Sequence, residues 1–282
     1  MTTSNEPEVR ILADPEAVSA AAADWLIAAI RAAVGSRGRA DVATTGGSTP
    51  TGIYRALRAP TRWPTVNWRL VDLWFGDDRY VPRDHRLSNV APVDDVLLDI
   101  GAMSGESGTG AGWPEVATEH DASVPLPPAN VHPWPTTEAL AAGLGAAGCA
   151  ELYATEVRAA VPSPDGWPIF DAVLLGIGPD GHLLSVFPGS AAFDTDALTM
   201  AIPAPTEVEP HVERVTFNPR VLDAAVSLLV VCLGSAKAAI LGDVFGSERD
   251  PRRWPAQLAR RAGATWLLDA AAAANLPESF RA

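Results

Sequence analysis

The residues best suited to chemistry lie in one stretch, Asp171 to Ser190, DAVLLGIGPDGHLLSVFPGS. An apolar run empties into a turn holding Gly176, Gly178, Asp180, Gly181 and His182, and Ser185 and Phe187-Pro188-Gly189 follow. Glycines let backbone approach a ligand, and a histidine titrates near neutral pH. A strand ending in such a turn is a common way to build a reactive site in an α/β protein. The turn formally matches G-x-G-x-x-G, but a dinucleotide fingerprint also needs a long following helix and an acidic residue about twenty positions on. Pro179 lies inside the turn and Pro188-Gly189 interrupt soon after, so NAD binding is demoted. Ser185 lacks the nucleophile-elbow pattern and reads as packing or capping.

Four further segments carry candidate groups. Gly46-Gly47-Ser48-Thr49-Pro50 follows a short strand and opens a helix, where free N–H groups and the positive helix end suit an anion. It is not a Walker A loop, because the Gly-Lys pair and its spacing are missing; an ordinary strand-to-helix turn is the alternative. In FGDDRYVPRDHRLSN, Asp77 and Asp78 precede Arg79, whose guanidinium can grip phosphate bidentately; a surface ion-pair loop is the alternative. Arg214 opens RVTFNP. Of the 21 basic residues only Lys237 is a lysine, in GSAKA after an apolar strand. Arginine-rich coding explains most of that bias, yet an ammonium is not freely exchanged for a guanidinium at a tight site. His85, His120, His132, His182 and His211 show no zinc-like spacing, so no metal is expected.

These residues need elements to hold them. Strands are predicted at Val9–Leu12, Asp41–Thr45, Trp68–Phe75, Val131-His132, Phe170–Ile177, Leu198–Ile202, Val215–Phe217, Ser227–Leu233 and Thr265–Leu268. Helices are predicted from Asp14-Pro15 to Val34 with a break over Gly35–Gly38, through Leu57, from a Ser88-Asn89 cap to Leu98, from Thr136 to Ala160, from Ser235, and from Asp269 to Ala274. Gly76 to Arg79 is read as a loop at a strand end. Alternation of strand and helix implies a mostly parallel, Rossmann-like sheet with helices on both faces, in a single α/β domain over residues 1–282. Residues 1–8 read as a disordered lead-in. Gly101 to Pro128, rich in Gly, Pro, Ser and Glu without periodicity, reads as a surface loop insertion.

Bulk properties narrow the partners. At 282 residues and 48% hydrophobic, the chain can bury a large core. A net charge of −13 argues against nucleic acid and anionic membrane surfaces, though a local cluster of cations can still take a small anion. No apolar run of membrane-spanning length is read, and MTTSNEPEVR lacks the basic start and apolar core of a signal peptide. Cys149 and Cys232 read as buried thiols in a reducing cytoplasm.

Taken in order, TTGGSTP, WFGDDRYVPRDHRLSN, LLGIGPDGHLLSVFPGS, RVTFNP and GSAKA closely resemble the 6-phosphogluconolactonases of the glucosamine-6-phosphate isomerase-like α/β superfamily. The resemblance runs from about Ile11 to Asp269, outside the Gly101–Pro128 insertion. It implies a modified Rossmann-like fold without a nucleotide or other organic cofactor. It implies hydrolysis of 6-phospho-D-glucono-1,5-lactone to 6-phosphogluconate, the second step of the oxidative pentose phosphate pathway, by a cytoplasmic monomer or small homo-oligomer. It implies ligand or phosphate contacts from Gly46, Gly47 and Ser48, and positive charge from Arg79, Arg214 and Lys237. His182 is the implied catalytic group, with Asp180 or Asp77 orienting it or binding sugar hydroxyls. The chain departs from the family pattern at Asp78, usually Glu; at Leu183-Leu184, usually Thr-Ala; and at Leu87, usually Asp.

Three other activities fit parts of the pattern. An amino-sugar-phosphate isomerase of the same superfamily would use a carboxylate such as Asp77 as base. Such isomerases usually have Tyr at Arg79 and Glu at Phe187, so both positions favour the lactonase. A sugar-phosphate-binding regulator would carry a basic helix-turn-helix segment, which this sequence lacks. A nicotinamide dehydrogenase rests on the glycine match alone.

Overall fold

The computed structural model describes residues 6–47, 49–98 and 126–281. Its strands are β1 (Glu8–Leu12), β2 (Ala40–Thr44), β3 (Val71–Phe75), β4 (Asp77–Arg79), β5 (Val131–His132), β6 (Ala172–Leu175), β7 (Thr199–Ile202), β8 (Arg214–Phe217), β9 (Leu228–Cys232) and β10 (Ala264–Asp269). Seven form one sheet in the order β1-β10-β9-β6-β2-β3-β5, and every pairing in it is parallel. Every residue of β2, β6, β9 and β10 is buried, so both faces of the central sheet are covered. That is why LLVVC reads as a continuous apolar run rather than an alternating one. Burying each such aliphatic side chain contributes roughly 1.5–3 kcal/mol.

The helices are α1 (Pro15–Arg37), α2 (Thr49–Leu57), α3 (Ala91–Val96), α4 (Thr136–Ala141), α5 (Gly145–Ala160), α6 (Val221–Ala224) and α7 (Ala238–Gly246). Asp14 caps α1 as its sequence suggests, its carboxylate accepting from Ala17 N–H at 2.8 Å with Pro15 at the first position. The break expected over Gly35–Gly38 falls at the far end of that stretch. The helix runs on to Arg37 and ends at Gly38, whose φ of 78° makes the left-handed cap. α1 is long and apolar enough by length and composition to cross a membrane, with a hydropathy of 1.5 in its richest window, which the reading of apolar runs missed. In the fold, Val18, Ala22, Leu26 and Ile30 lie on one face, buried against the central strands.

Some boundaries moved. Trp68–Leu70 is a 3-10 turn before β3, and the expected helix from Thr136 to Ala160 is two helices. The segment after Ser235 opens as a 3-10 turn, and Ala272–Asn275 is likewise 3-10. Glu8 belongs to β1 rather than to a lead-in. Of the insertion read over Gly101–Pro128, residues 101–125 lie outside the described part of the chain, and Leu126 is a core residue.

The largest correction concerns Asp77–Arg79. The loop expected there is strand β4, which pairs antiparallel with β8 in a second sheet of order β4-β8-β7. Its partner lies more than a hundred residues on, so no local pattern announces it.

Two features fix the end of β3, where the candidate site begins. β5 stops at His132, one residue short of Phe75, so the Phe75 backbone has no strand neighbour on that side. Side chains replace it: Tyr153 Oη accepts from Phe75 N–H at 2.9 Å, and Trp134 Nε1–H donates to Phe75 O at 2.9 Å. Both rings sit in a buried aromatic cluster with Trp74, Phe170 and Phe217.

Nearer the N-terminal ends of the strands, charges alternate across the sheet. Asp171 pairs with Arg37, Arg37 reaches Asp41 at 3.6 Å, Arg39 bridges Asp41 and Asp72, and His132 sits between Asp72 and Glu156 at 2.9 Å from each. Burial opposes a charged His132, but the two carboxylates outweigh it and hold its pKa at about 9, above the ordinary 6.5. The fold therefore favours protonated His132. This stabilisation is complete below pH 6.5 and drains away as pH rises to about 9. Against His132→Gln, the wild type is expected to lose on the order of 2 kcal/mol more between about pH 6 and pH 10, read as urea midpoints at each pH. Parallel pH curves for the two proteins would remove the network as the cause.

Candidate active site

The sheet order reverses between β6 and β2, and that is where an open α/β sheet leaves a crevice. These two strands pair only at Val42↔Ala172 and Ala43↔Val173. Beyond those pairs β6 follows β9, and β2 follows β3. The segments that follow β2, β3, β6 and β9 carry Gly46, Asp77 (in β4), His182 and Lys237 respectively.

The histidine turn is built around its own side chains. Asp180 Oδ1 accepts from His182 N–H at 3.2 Å and lies 2.6 Å from His182 Nδ1. Gly178 N–H donates to His182 O at 2.9 Å. A Cβ on Gly178 would sit 2.0 Å from the imidazole, so only glycine leaves room for the ring. Burial raises the Asp180 pKa, but the hydrogen bonds and charge of His182 outweigh it, so the carboxyl stays below its ordinary range. With Nδ1 engaged by a carboxylate, the tautomer that carries its proton there has a bare lone pair on Nε2. Nε2 has no hydrogen-bond partner among the described residues. Lys237 approaches the same turn. Its Nζ donates to Ile177 O at 2.7 Å, and burial lowers its pKa against the opposing charges of Cys232 and Asp180.

Arg79 and Arg214 are register partners across β4 and β8. Arg79 Nη1 donates to Leu87 O at 2.7 Å, a backbone contact that does not depend on the side chain at 87. Arg214 donates to Pro210 O at 2.9 Å and Val212 O at 3.3 Å. Among the described residues neither guanidinium forms an ion pair, and the buried Arg79 Nε has no hydrogen-bond partner. Burial and the Arg79 charge lower the Arg214 pKa, against Asp77 and Asp78. Two crowded cations with unused donors form a site for an anion. The Phe187 ring lies between this pair and the histidine, 4.6 Å from the His182 ring and 5.9 Å from Arg214 Cζ.

The two neighbouring carboxylates do different things. Asp78 faces inward, Oδ1 accepting from Arg79 N–H and Asn89 N–H, each at 2.7 Å. Burial, with the Asp77 charge adding to it, pushes its pKa up to about 7. Asp77 accepts from Ser185 Oγ at 2.6 Å and from Asn89 Nδ2 at 3.3 Å. Asp180, not Asp77, is therefore the carboxylate that holds His182. Ser88 and Asn89 do not cap α3 as expected: the helix opens at Ala91 without a side-chain cap. Asn89 instead wedges between Asp77 and Gly46, where a Cβ would lie 1.6 Å from its Oδ1. Gly47 is in the left-handed region at φ 85°, and Ser48 lies outside the described residues. On sequence alone Asn89 reads as a helix cap and Ser185 as packing or capping; their contacts with Asp77 have no local signal, because the partner lies on another strand.

The family described as glucosamine-6-phosphate isomerases/6-phosphogluconolactonase matches this chain over residues 13–267. The chain belongs to that family. Within it, the chain is 31% identical to a 6-phosphogluconolactonase of Mycobacterium tuberculosis over 271 residues, covering 95% of this chain and 98% of the relative. It is 30% identical to one from Streptomyces coelicolor, covering 98% and 97%. Among solved structures, a 6-phosphogluconolactonase from Leishmania guyanensis superposes with a TM-score of 0.76 at 27% identity, covering 94% of this chain and 97% of that one. One from Trypanosoma brucei gives 0.77 at 25%, covering 97% and 100%. The two solved structures share the fold of this chain nearly end to end.

Proposed function

We propose that this protein hydrolyses 6-phospho-D-glucono-1,5-lactone to 6-phospho-D-gluconate. The observation that carries this reading is the unneutralised Arg79–Arg214 pair, one phenyl ring away from a histidine whose Nε2 is free. A sugar lactone with a phosphate on its far carbon presents the two groups such a site matches: an anion at one end and an electrophilic carbonyl at the other. The relatives at about 30% identity bear the same activity in their names.

In this reading the arginines hold the phosphate, which reconciles an anionic substrate with a net charge of −13. His182 Nε2 takes a proton from water as the water oxygen attacks the lactone carbonyl. Asp180 holds the ring by Nδ1 and stabilises the imidazolium. The tetrahedral centre then expels the ring oxygen, which takes the proton back from Nε2. The bond from the carbonyl carbon to the ring oxygen is broken, giving a hydroxyl and a carboxylic acid, which releases the second proton of the water to solvent and leaves as the carboxylate. Asp77 accepts a hydrogen bond from a sugar hydroxyl with a remaining lone pair, and Gly46 and Gly47 line the other wall. Lys237 keeps two free N–H donors for the ligand beyond its bond to Ile177 O.

The direct test follows the disappearance of freshly generated lactone against its spontaneous rate. Acceleration by orders of magnitude at micromolar protein is the expected result. A folded protein that leaves the spontaneous rate unchanged would return the site to the isomerase reading, for which Asp77 is the base.

A further inference from the structure

Ser185 and Asn89 have no part in the proton transfers above, yet both are buried and both point at one carboxylate. Ser185 is fully buried, its hydroxyl donating to Asp77 Oδ2 at 2.6 Å, while its N–H donates to Thr216 Oγ1 at 3.2 Å. Thr216 is the register partner of Asp77 on β8, so both contacts tie the turn to the same rung of the small sheet. From the opposite side, Asn89 Nδ2 donates to Asp77 O at 2.8 Å and to Oδ1 at 3.3 Å. Its Oδ1 has no hydrogen-bond partner and packs on Gly46, so the amide has one sensible orientation.

The backbone beside Ser185 is strained to achieve this. Leu184, with φ of 55°, is alone among the described non-glycine residues in the left-handed region. A branched side chain there is costly and persists only where the surroundings demand it. Its Cδ2 lies 2.6 Å from where a Cβ on Gly76 would be, so glycine before Asp77 lets the Leu184 side chain seat there without shifting. The strained turn, the glycine and the buried hydroxyl converge on Asp77.

We propose that Ser185 and Asn89 are positioning residues that clamp the Asp77 carboxylate between them, one on each oxygen, and so present its remaining lone pairs to a sugar hydroxyl. The inference rests on the place given to Asp77 in the substrate site above. A donor on each oxygen fixes the plane of the carboxylate and the directions of its remaining lone pairs. The charges around it are Asp78 and Arg79 on its own strand and Arg214 on β8, with Asp180 and His182 upstream in the turn that carries Ser185. None of them is altered by Ser185→Ala, which removes one oxygen atom from a buried site.

The experiment measures kcat and KM with freshly made lactone for Ser185→Ala, Ser185→Thr, Asn89→Ala and Asp77→Asn. Ser185→Ala is expected to raise KM roughly three- to tenfold with kcat little changed, the effect of one lost hydrogen bond on the aim of the carboxylate. Ser185→Thr, which keeps the hydroxyl, should recover KM, and in the Asp77→Asn background Ser185→Ala should add no further loss. Asn89→Ala gives a second reading of the same rise, should Ser185→Ala fold poorly. A KM unmoved in both alanine variants overturns the clamp. Full activity in Asp77→Asn would instead remove Asp77 from the substrate site, and the clamp with it, leaving lactone hydrolysis standing.

Discussion

His182→Ala is expected to lower kcat for lactone hydrolysis by roughly 10²–10⁴-fold, the usual contribution of a positioned general base. KM should stay within a few-fold, because the imidazole acts on water and the departing ring oxygen rather than on the phosphate. The fold should tolerate the change. His182 is only partly buried, its one side-chain hydrogen bond goes to Asp180, and the turn is otherwise held by Gly178 N–H and the docking of Gly181 against Ile240 and Trp254. Stopped-flow rates with freshly made lactone, corrected for spontaneous hydrolysis, give the answer. A variant that keeps most of its kcat would leave the lactonase in place and move the base elsewhere.

The second large effect should come from Arg214→Met. Removing one guanidinium from a buried pair built for an anion costs about 2–5 kcal/mol of binding, which is a rise in KM of some thirtyfold or more. Here kcat should change less than KM, the reverse of the histidine variant. Methionine roughly fills the volume and relieves the repulsion from Arg79 that helps depress the Arg214 pKa. The unliganded variant should therefore melt close to wild type. Inorganic phosphate should raise the melting temperature of the wild type and fail to raise that of the variant. Equal stabilisation of both proteins by phosphate would place the anion site elsewhere.

Much of this architecture could be read from the chain, and the reasons differ by element. Asp14-Pro15 announces a helix start because capping and the proline ring act within one turn. SLLVVCL announces a central strand because burial on both faces demands an unbroken apolar run. The turn at 176–182 was legible because glycine, aspartate and histidine act on one another within seven residues. What stayed hidden depends on contacts distant in sequence. Asp77–Arg79 looks like a charged loop until β8 arrives to pair with it. Ser185 looks like packing until its hydroxyl meets a carboxylate 108 residues away. The helix break read over Gly35–Gly38 comes at Gly38, because Gly35 continues the helix and Gly38 takes the left-handed cap.

The strand order also bears on how the chain comes off the ribosome. β1 is made first but pairs with β10, which is made last, and β10 also supplies the second neighbour of β9. Until roughly residue 269 has emerged, β1 has no partner and the LLVVC strand shows a bare, wholly apolar edge. Such an edge is a template for other chains. The nascent protein thus passes through a sticky interval that lasts until β10 has emerged.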